Sequence, residues 1–356
     1  MHVVVGGDIG GAERVVMDLA TRSEQTGADH QVALFTPNRA LATYFAKAGV
    51  RVHDRGAARE NPLAYLYRSL GPADVTWLSE RLAAEAIDVV HTHTFGSHVL
   101  GTRAARRVRR PQLRTEHHVM HYFDSSSSLF TRWAAARTDR FVAVSEYVRR
   151  VLARAAPRIA GRMTVVRNGV DTAYFSPRER GGGDFSLGIV CRLTGWKRVH
   201  LAVEAAALAG AGLVVVGDGE ERGRLEALAR ERGARVRFVG YQADPRAFVA
   251  ACDAVVSTAD REPLGLSVLE ALAMARPVIA FAVGGIPEIV EDDVTGLLVS
   301  ETTAAALARA MDRARRDRPS LERMGASARR FVVERCSIDR MCQEYAAAYE
   351  AAARAS

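Results

Sequence analysis

No part of this 356-residue sequence stays apolar for the roughly 20 residues that a helix needs to cross a bilayer. The longer apolar runs, such as residues 213–216, have the length of a buried strand. Residues 1–7 lack the basic start and long apolar region of a signal peptide, and they predict a first strand that enters a glycine loop. These absences predict a cytoplasmic protein without a membrane span.

Cysteine is scarce, and its four residues stand apart at positions 191, 252, 336 and 342, with no Cys-x-x-Cys pair. This usage predicts reduced core thiols and excludes a disulfide scaffold. Histidine offers no helix pair with a third ligand, because His91 and His93 alternate as on a strand and His117 and His118 are adjacent. We therefore expect no metal site.

Acidic residues are too few to balance the basic ones in the first half of the chain. Residues 1–170 hold 24 Lys and Arg against 15 Asp and Glu, or +9, whereas residues 171–356 hold 25 against 26, or −1. Six arginines lie between positions 103 and 114. Such a face could meet nucleic acid, an anionic membrane or a phosphorylated substrate, or could simply be solvated. Nucleic-acid binding is the weaker alternative, because no aromatic residues alternate with these arginines.

Patterns typical of strands and helices alternate along the chain, which indicates α/β layers with parallel sheets. A helix is predicted over 12–26, and Ser145 is a good N-cap for a helix over 146–155. No helix is predicted between the strands over 112–115 and 140–144. The pattern favours doubly wound sheets.

The alternation is interrupted once, at the Gly- and charge-rich segment 177–184. This composition predicts a flexible connector. We expect two domains joined near residues 171–184, with a cleft between them. Ligands of open α/β sheets bind beyond the carboxyl ends of the strands, so both domains are expected to contribute to one site.

Glu262 and Glu270 lie on either side of a glycine turn that opens a predicted helix. Pro277 ends this helix, because proline disfavours the helical conformation in the residue before it, and a buried strand over 278–282 follows. The helix start offers backbone N–H groups to a phosphate, and the carboxylates can accept hydrogen bonds from sugar hydroxyls. The plain alternative is a helix with one surface and one capping glutamate, but the ordered context favours a nucleotide-sugar site.

Other candidate phosphate contacts follow the first strand of each predicted domain. Gly10 and Gly11 belong to a loop with four glycines in six positions, which lets backbone approach a ligand. Arg192 and Lys197 could clamp a diphosphate. Arg222 stands where a dinucleotide fingerprint needs its third glycine, which disfavours an NAD enzyme.

His117 and His118 follow the strand over 112–115, and one of them is expected to face the site and bind a departing phosphate or a sugar hydroxyl. His91 and His93 are weaker candidates. Asn168-Gly169 is predicted to be a turn and hinge where the chain crosses between domains.

These motifs, in this order, resemble the retaining glycosyltransferases of family 4, which have the GT-B fold. The matching residues are Gly10-Gly11-Ala12-Glu13, Thr115-Glu116-His117, Val144-Ser145, Asn168-Gly169-Val170-Asp171, Arg192-Leu193 with Lys197, and Glu262 with Glu270. The sequence departs from the pattern at Cys191, where relatives carry glycine, and at His118, where they often carry Gly or Asp. The resemblance covers nearly the whole chain.

The resemblance implies an α/β GT-B architecture of two Rossmann-like, doubly wound domains that face a central cleft. Residues 1–170 would bind the acceptor, with the C-terminal helix 338–356 packing back on them, and residues 171–337 would bind the donor. The implied activity is a hexosyltransferase reaction, EC 2.4. It would move a sugar from a UDP- or GDP-type nucleotide sugar, with retention and without a metal or other cofactor.

The resemblance also implies roles for single residues. Glu270 would bind the ribose, Glu262 would face the donor sugar, and Arg192 and Lys197 would neutralise the diphosphate. His117 would touch the donor sugar or support the departing phosphate. The remaining implied donor contacts are Gly10, Gly11, Leu264, Gly265, Leu266 and Tyr241.

Acceptor contacts are expected from Arg114, His118 and Tyr122 in the basic and aromatic part of the first domain. The acceptor would be a saccharide, a lipid-linked molecule or a small molecule in polysaccharide or glycoconjugate biosynthesis. A lipid-linked acceptor would bring peripheral contact with the anionic inner face of the membrane. An alternative enzyme of the same fold is a nucleotide-sugar epimerase, which would isomerise a UDP-sugar without an acceptor.

Overall fold

A computed structural model describes residues 1–6, 9–36, 39–56, 70–125, 127–180 and 183–354. The chain forms two compact units. The first unit comprises Met1–Asn168 with Asp339–Ser356, and the second comprises Gly169–Ile338. Each unit contains one parallel sheet, which confirms the α/β prediction.

The first unit contains a seven-stranded sheet in the order β3-β2-β1-β4-β5-β6-β7. Its strands are β1 (His2–Val5), β2 (Gln31–Phe35), β3 (Arg51–Asp54), β4 (Val90–Thr92), β5 (Gln112–Glu116), β6 (Arg140–Ala143) and β7 (Met163–Val165). The strand order reverses between β1 and β4, so the loops that follow these two strands diverge there. Ligands of open parallel sheets bind at such a switch point.

Seven described helices accompany this sheet before the chain leaves the first unit. They are α1 (Gly11–Ala20), α2 (Ser23–Thr26), α3 (Arg39–Lys47), α4 (Pro72–Ala84), α5 (Phe95–Arg107), α6 (Ser128–Ala135) and α7 (Glu146–Ala155). Ser145 caps α7 as predicted, because its hydroxyl accepts from the Val148 amide at 3.1 Å.

Two helical expectations for the first unit were wrong. The helix predicted over 12–26 is two helices, because the chain leaves the helical path after α1 and the Thr21 hydroxyl bonds back to the Met17 carbonyl at 2.8 Å. Helix α6 lies where none was predicted. Its buried residues are Thr131, Ala134 and Ala135, which are too small or too polar to give an apolar stripe in the sequence.

The second unit contains a six-stranded sheet in the order β10-β9-β8-β11-β12-β13. Its strands are β8 (Ser186–Val190), β9 (Gly212–Val216), β10 (Val236–Gly240), β11 (Ala254–Ser257), β12 (Val278–Phe281) and β13 (Gly296–Val299). The helices are α8 (Val199–Ala209), α9 (Arg222–Glu231), α10 (Arg246–Ala251), α11 (Leu266–Ala273), α12 (Ala304–Arg316) and α13 (Arg318–Arg335). The switch point of this sheet lies between β8 and β11.

The packing of strand β12 explains why its sequence is apolar at every position. Ile279 and Phe281 pack into one hydrophobic core, and Val278 and Ala280 pack into the core on the opposite face. All four residues are fully buried. A strand covered on both faces has no polar side to alternate with its apolar side.

The last helix, α14 (Ile338–Ala353), belongs to the first unit from Asp339 onward. The Tyr345 hydroxyl lies 2.9 Å from the Thr115 hydroxyl, and the Tyr349 hydroxyl lies 3.0 Å from Nδ1 of His91. Two tyrosine hydroxyls that pair with side chains of β4 and β5 thus hold this helix on the first sheet. Among the described residues, no helix combines the length and apolarity that a membrane span requires.

The chain enters the second unit at Gly169, close to where it leaves that unit. A side-chain carbon at Gly169 would lie 2.6 Å from Cα of Ile338, so only glycine fits. The Val170 amide donates to the Cys336 carbonyl at 2.9 Å, and the Ile338 amide donates to the Val170 carbonyl at 3.0 Å. The predicted connector 177–184 lies inside the second unit, and its Gly181 and Gly182 fall outside the described residues.

Candidate active site

The loops that follow β8 and β11 meet at the switch point of the second sheet. The Thr258 hydroxyl donates to the Lys197 carbonyl at 2.8 Å, and the Asp260 amide donates to the Trp196 carbonyl at 3.0 Å. These bonds join the two loops at the carboxyl edge, where open α/β sheets bind ligands.

Lys197 and Glu262 form the central contact of this edge. The Lys197 Nζ lies 2.5 Å from the Glu262 Oε2, and the two side chains are 16 % and 11 % exposed. The same Nζ lies 4.1 Å from the centre of the Trp196 ring. Two side chains that are 65 residues apart in the sequence thus form one ion pair. Their low exposure to solvent strengthens the electrostatic attraction between them.

Gly265, the residue that precedes α11, lies next to this pair and has a φ of +103°. A side-chain carbon there would lie 3.1 Å from Cδ1 of Ile286 and 3.3 Å from Cγ of Glu262, so the turn needs glycine for both its conformation and its space. Within the described part of the chain, the N-cap residue Gly265 supplies no side-chain cap, and the first turn of α11 contains no acidic residue. Its backbone N–H groups suit an anion.

Gly284 and Gly285 hold the Glu262 backbone in place. The Gly285 amide donates to the Glu262 carbonyl at 2.8 Å. A side-chain carbon at Gly284 would lie 2.1 Å from the same carbonyl oxygen, and one at Gly285 would lie 2.2 Å from the Pro263 carbonyl oxygen. Sequence reasoning treated this pair only as a turn; two adjacent glycines after a buried strand were the available signal.

Gly217 serves a similar purpose for the loop after β8. Its φ is +140°, and a side-chain carbon there would lie 1.8 Å from the Cys191 carbonyl oxygen. The Leu193 amide donates to the Asp218 carbonyl at 2.9 Å. Burial raises the pKa of the Cys191 thiol to about 11, so this residue stays a neutral packing group.

The other predicted donor contacts lie along the same edge or in α11. Glu270 is on the second turn of α11 and is 4 % exposed. Arg192 follows β8 and is exposed, and Tyr241 follows β10 and is 72 % exposed. Leu264 is buried, and Leu266 is partly buried at the helix start. The roles of these residues stay predictions.

The sequence carries a further signal for Lys197. Lysine occurs only at positions 47 and 197 among 49 basic residues, and all others are arginine. A chain that uses arginine almost everywhere keeps a compact ammonium at the sheet edge. This use of lysine indicates that position 197 needs the compact charge of an ammonium group and not the planar guanidinium of arginine.

At the carboxyl edge of the first sheet, the Gly10 amide donates to Oε2 of Glu13 at 3.0 Å. A side-chain carbon at Gly6 would lie 3.2 Å from Oε1 of the same carboxylate. Gly7 and Asp8 of the predicted glycine loop lie outside the described residues. The predicted phosphate contact of Gly10 and Gly11 stays a prediction, and the Gly10 amide is already bonded within the loop.

Glu116, the last residue of β5, forms hydrogen bonds with several buried side chains around it. Its carboxylate accepts from Arg114 Nη2 at 3.0 Å and from the Tyr122 hydroxyl at 2.7 Å. Burial opposes ionisation, but Arg114 and His121 outweigh it and hold the pKa of Glu116 well below its usual range. Arg114 and Tyr122 are therefore buried structural partners of Glu116, and their predicted acceptor contact stays a prediction.

His117 follows β5 and is the better placed of the two adjacent histidines. Its ring is partly buried, and its Nε2 lies 3.1 Å from Nδ1 of His93, whereas His118 is exposed. Burial and the nearby Arg114 lower the pKa of His117 to about 3. A neutral imidazole donates one hydrogen bond and accepts another, so His117 is not a charged acid near pH 7.

Behind His117, the fold assembles a histidine cluster that sequence spacing did not predict. Ring nitrogens of His2, His91 and His93 lie within 4.8 Å of one another and are fully buried. Their six ring nitrogens already lie within hydrogen-bond distance of His30, His93, Tyr349, Thr115, His2 and His117. The register His2↔His91 creates this cluster, and a metal would have to displace these bonds. The absence of a metal site stays a prediction.

Two family models match the chain in succession. The model described as Glycosyltransferase Family 4 matches residues 9–174, and the model described as Glycosyl transferases group 1 matches residues 172–331. The boundary between the two matches falls next to the start of the second unit at Gly169.

Curated relatives agree with these matches. The chain is 30 % identical over 295 residues to the putative glycosyltransferase EpsD of Bacillus subtilis, covering 74 % of this chain and 76 % of that protein. It is 31 % identical over 336 residues to the alpha-maltose-1-phosphate synthase of Mycolicibacterium smegmatis, covering 81 % and 87 %.

Solved structures share the fold. The Anabaena protein Alr3699/HepE, in complex with UDP and glucose, superposes with a TM-score of 0.85 at 23 % identity, covering 98 % of each chain. The lipopolysaccharide outer core galactosyltransferase WaaB superposes with a TM-score of 0.73 at 19 % identity, covering 98 % of this chain and all of that one. The two parallel sheets and these neighbours identify the GT-B fold. The chain is therefore a glycosyltransferase, and it belongs to the family of group 1, family 4 glycosyltransferases.

Proposed function

We propose that this enzyme moves a hexosyl group from a nucleoside diphosphate sugar to an acceptor hydroxyl with retention of anomeric configuration. The Lys197–Glu262 pair beside the uncapped start of α11 carries this proposal. UDP-glucose is the first donor to test, because HepE was crystallised with it. The acceptor class, which is a saccharide, a lipid-linked molecule or a small molecule, is left open by the site.

Lys197 is proposed to stabilise the departing diphosphate. Cleavage of the sugar–phosphate bond places negative charge on the diphosphate, and a fixed cation aimed at that charge lowers the barrier. An ammonium carries three hydrogen-bond donors, of which Glu262 engages one. Since Trp196 and Glu262 already fix the side chain, little rotamer freedom remains to be lost when phosphate binds.

Glu262 is proposed to accept hydrogen bonds from hydroxyls of the donor sugar. Its backbone is fixed by Gly284 and Gly285, and its carboxylate is fixed by Lys197. A carboxylate offers several lone pairs, so it can bind Lys197 and a sugar hydroxyl together. The start of α11 would bind a phosphate oxygen through its N–H groups, and Glu270 would bind the ribose.

The reaction is proposed to need no metal ion. The cations Arg192 and Lys197 and the start of α11 lie along the same sheet edge and supply positive charge for a diphosphate. Addition of EDTA to the purified enzyme should leave UDP-glucose binding and transfer unchanged. A requirement for Mg²⁺ or Mn²⁺ would overturn this part of the proposal.

Retention is proposed because the motifs of the chain resemble those of retaining glycosyltransferases. Glu262, the carboxylate that is proposed to face the sugar, is paired with Lys197 and is assigned to hydroxyl binding and not to attack on the sugar. The acceptor hydroxyl would attack from the same face as the leaving diphosphate. Proton NMR of the product distinguishes the two anomers, and a product of inverted configuration would contradict retention.

A thermal-shift screen of nucleotide sugars tests the donor class, because a ligand that binds the native state raises the melting temperature. UDP-glucose, GDP-mannose and free nucleotides should be compared on the wild type and on Lys197→Met. We expect at least one nucleotide sugar to stabilise the wild type and to lose most of that effect in the variant. Conversion of the sugar to an isomer without an acceptor would instead identify an epimerase.

Matched variants separate the site from general charge effects. Lys47→Met removes the other lysine, which is exposed on α3, and should leave the thermal shift unchanged. Glu262→Gln keeps the size of the side chain but removes its charge, and it should reduce transfer. Equal thermal shifts in the Lys47 and Lys197 variants would argue against the proposed donor site.

A further inference from the structure

Four imidazoles and one hydroxyl form an unbroken line through the first unit. The contacts are Thr26 Oγ1 to His30 Nε2 at 2.7 Å, His30 Nδ1 to His2 Nε2 at 2.9 Å, His2 Nδ1 to His93 Nε2 at 2.9 Å, and His93 Nδ1 to His117 Nε2 at 3.1 Å. All four rings turn Nε2 towards the Thr26 end of the line, and His30, His2 and His93 turn Nδ1 towards the His117 end. We call these five residues the histidine relay.

The imidazoles of the relay are neutral near pH 7. Burial lowers the pKa of His2 and His93 well below the ordinary value, that of His30 to about 4 and that of His117 to about 3. A neutral imidazole carries one ring proton, so one nitrogen donates and the other accepts.

Neutrality forces all four rings of the relay into the same tautomer. Each nitrogen–nitrogen contact needs one proton, so a proton on Nε2 of one ring requires a proton on Nε2 of the next. A mixed arrangement would leave two protons, or none, in one buried contact, and buried polar groups without a partner are costly. The relay therefore has two states: all Nε2–H or all Nδ1–H.

Thr26 selects between these two states. Its hydroxyl lies 3.1 Å from the Arg22 carbonyl oxygen as well as 2.7 Å from His30. In the all-Nε2–H state His30 donates to Thr26, and Thr26 donates to the carbonyl. In the other state Thr26 donates to His30 and the bond to the carbonyl is lost. The all-Nε2–H state makes one more hydrogen bond and is favoured.

We propose that Thr26 sets the tautomer of His117 through His30, His2 and His93, so that His117 offers an unprotonated Nδ1 to its ligand. Once Nε2 is bonded to His93, Nδ1 is the nitrogen that remains for a ligand. The identity of that ligand rests on the proposed function. An acceptor nitrogen suits a hydroxyl of the donor sugar and does not suit a phosphate oxygen, which is itself an acceptor. The relay residues act as positioning residues for His117.

Nitrogen NMR of the imidazole rings tests the relay directly, because protonated and unprotonated ring nitrogens have distinct chemical shifts. The ten histidines can be assigned with single His→Gln variants. In the wild type without ligand, we expect His2, His30, His93 and His117 to be Nε2–H tautomers. A different tautomer at any one of the four would overturn the proposal.

Thr26→Val should switch the relay over its whole length. Valine cannot accept from Nε2–H of His30, so that state would leave a buried N–H without a partner. The all-Nδ1–H state leaves only a lone pair against the valine, and orphaned N–H groups are the less tolerated of the two. We therefore expect all four histidines to become Nδ1–H tautomers, including His117.

Thr26→Ser and Thr131→Val are the matched controls. Serine restores a hydroxyl and should restore the Nε2–H tautomers. Thr131 is a buried threonine of the same unit that bonds to the His121 carbonyl and lies outside the relay, so its replacement by valine should leave His117 unchanged. Retention of the Nε2–H tautomer at His117 in Thr26→Val would refute the relay, and a spectrum of Thr26→Ser that matches Thr26→Val would refute the role of the hydroxyl.

Ligand titration separates the relay from the proposed function. Thr26→Val should weaken UDP-glucose binding about tenfold, the loss expected for one hydrogen bond, and leave UDP binding unchanged. Equal losses for UDP and UDP-glucose would contradict the contact with a sugar hydroxyl. If the wild type binds neither UDP nor UDP-glucose, the proposal of a UDP-type donor is refuted. The NMR measurement of the histidine tautomers still tests the histidine relay in that case.

Discussion

Lowering the pH from 7.5 to 5.5 is expected to destabilise the first unit and to spare the second. Nine of the ten histidines lie in the first unit, and His200 is the one in the second. Six first-unit histidines are almost fully buried. One of them, His121, lies 3.2 Å from the Glu116 carboxylate, whereas the other five, at positions 2, 30, 91, 93 and 98, pair with no carboxylate among the described residues. Burial lowers the pKa of His30 to about 4 and the pKa values of the other four well below the ordinary range.

The sign of the effect follows from proton binding. In the unfolded chain these histidines take up protons as the pH falls through about 6.5, whereas in the folded unit they stay neutral. The unfolded state thus binds more protons below pH 6.5, so the free energy of unfolding decreases as the pH falls towards the folded-state pKa values. At pH 5.5, each histidine that stays neutral in the folded protein lowers this free energy by about 1.4 kcal/mol.

These five histidines alone remove about 7 kcal/mol at pH 5.5, and His117 and His118, whose pKa values burial lowers to about 3 and about 4, add to this loss. Typical domains have an unfolding free energy of about 5–15 kcal/mol in total. The first unit should therefore be close to unfolding at pH 5.5. Above pH 7 the five residues are neutral in both states and make no difference.

Urea unfolding at pH 7.5, 6.5 and 5.5 measures this effect. Trp77 and Trp133 report on the first unit, and Trp196 reports on the second. Fluorescence of a Trp77→Phe/Trp133→Phe variant follows Trp196 alone. We expect the midpoint of the first-unit transition to fall steeply with pH, whereas the Trp196 transition moves little.

His98→Gln provides the internal control for the magnitude. The His98 Nε2 lies 2.9 Å from the Thr138 hydroxyl, and the residue lies outside the histidine relay. Its replacement should remove about 1.4 kcal/mol of the change in unfolding free energy between pH 7.5 and 5.5. His200→Gln should remove less, because His200 is only partly buried. A first unit whose stability does not change between these pH values would refute the reasoning.

Two further predictions concern the edge of the second sheet. Lysine labelling with an amine-reactive reagent, read by mass spectrometry, tests the contact between Lys197 and the diphosphate. Saturating UDP or UDP-glucose should protect Lys197 from the reagent, whereas Lys47 should be labelled whether or not nucleotide is present. Equal labelling of Lys197 with and without a bound nucleotide would contradict the contact. Gly284→Ala should displace the Glu262 carbonyl, because the new carbon would lie 2.1 Å from that oxygen at a φ of +59°. We expect urea unfolding to show a loss of about 2 kcal/mol or more in the free energy of unfolding. The value of kcat should fall by a larger fraction than the amount of folded protein. Wild-type values of both quantities would refute this account.

The sequence predicted much of the fold because most elements carry their own local signal. Ser145 marks the start of α7, and the fully buried β12 reads as one apolar run. Helix α6 has no such signal, since its buried face consists of Thr131, Ala134 and Ala135. The prediction was weakest where few large apolar residues are buried.

The candidate site could be predicted in its residue types but not in its contacts. Lys197 and Glu262 each stood out beside a strand end, yet their direct pairing depends on β8 and β11 being neighbours. The histidine relay could not be predicted at all. His2 and His117 lie far apart in the chain, and only the sheet order and register bring them into one line.

The central claim is that the Lys197–Glu262 edge binds the diphosphate of a nucleotide-sugar donor. Calorimetric titration of UDP and of GDP into the wild type, Lys197→Met and Lys47→Met tests this claim most directly. The account predicts saturable binding of one nucleotide to the wild type and to Lys47→Met, with an affinity at least about tenfold lower in Lys197→Met. Equal affinity in all three proteins would contradict it.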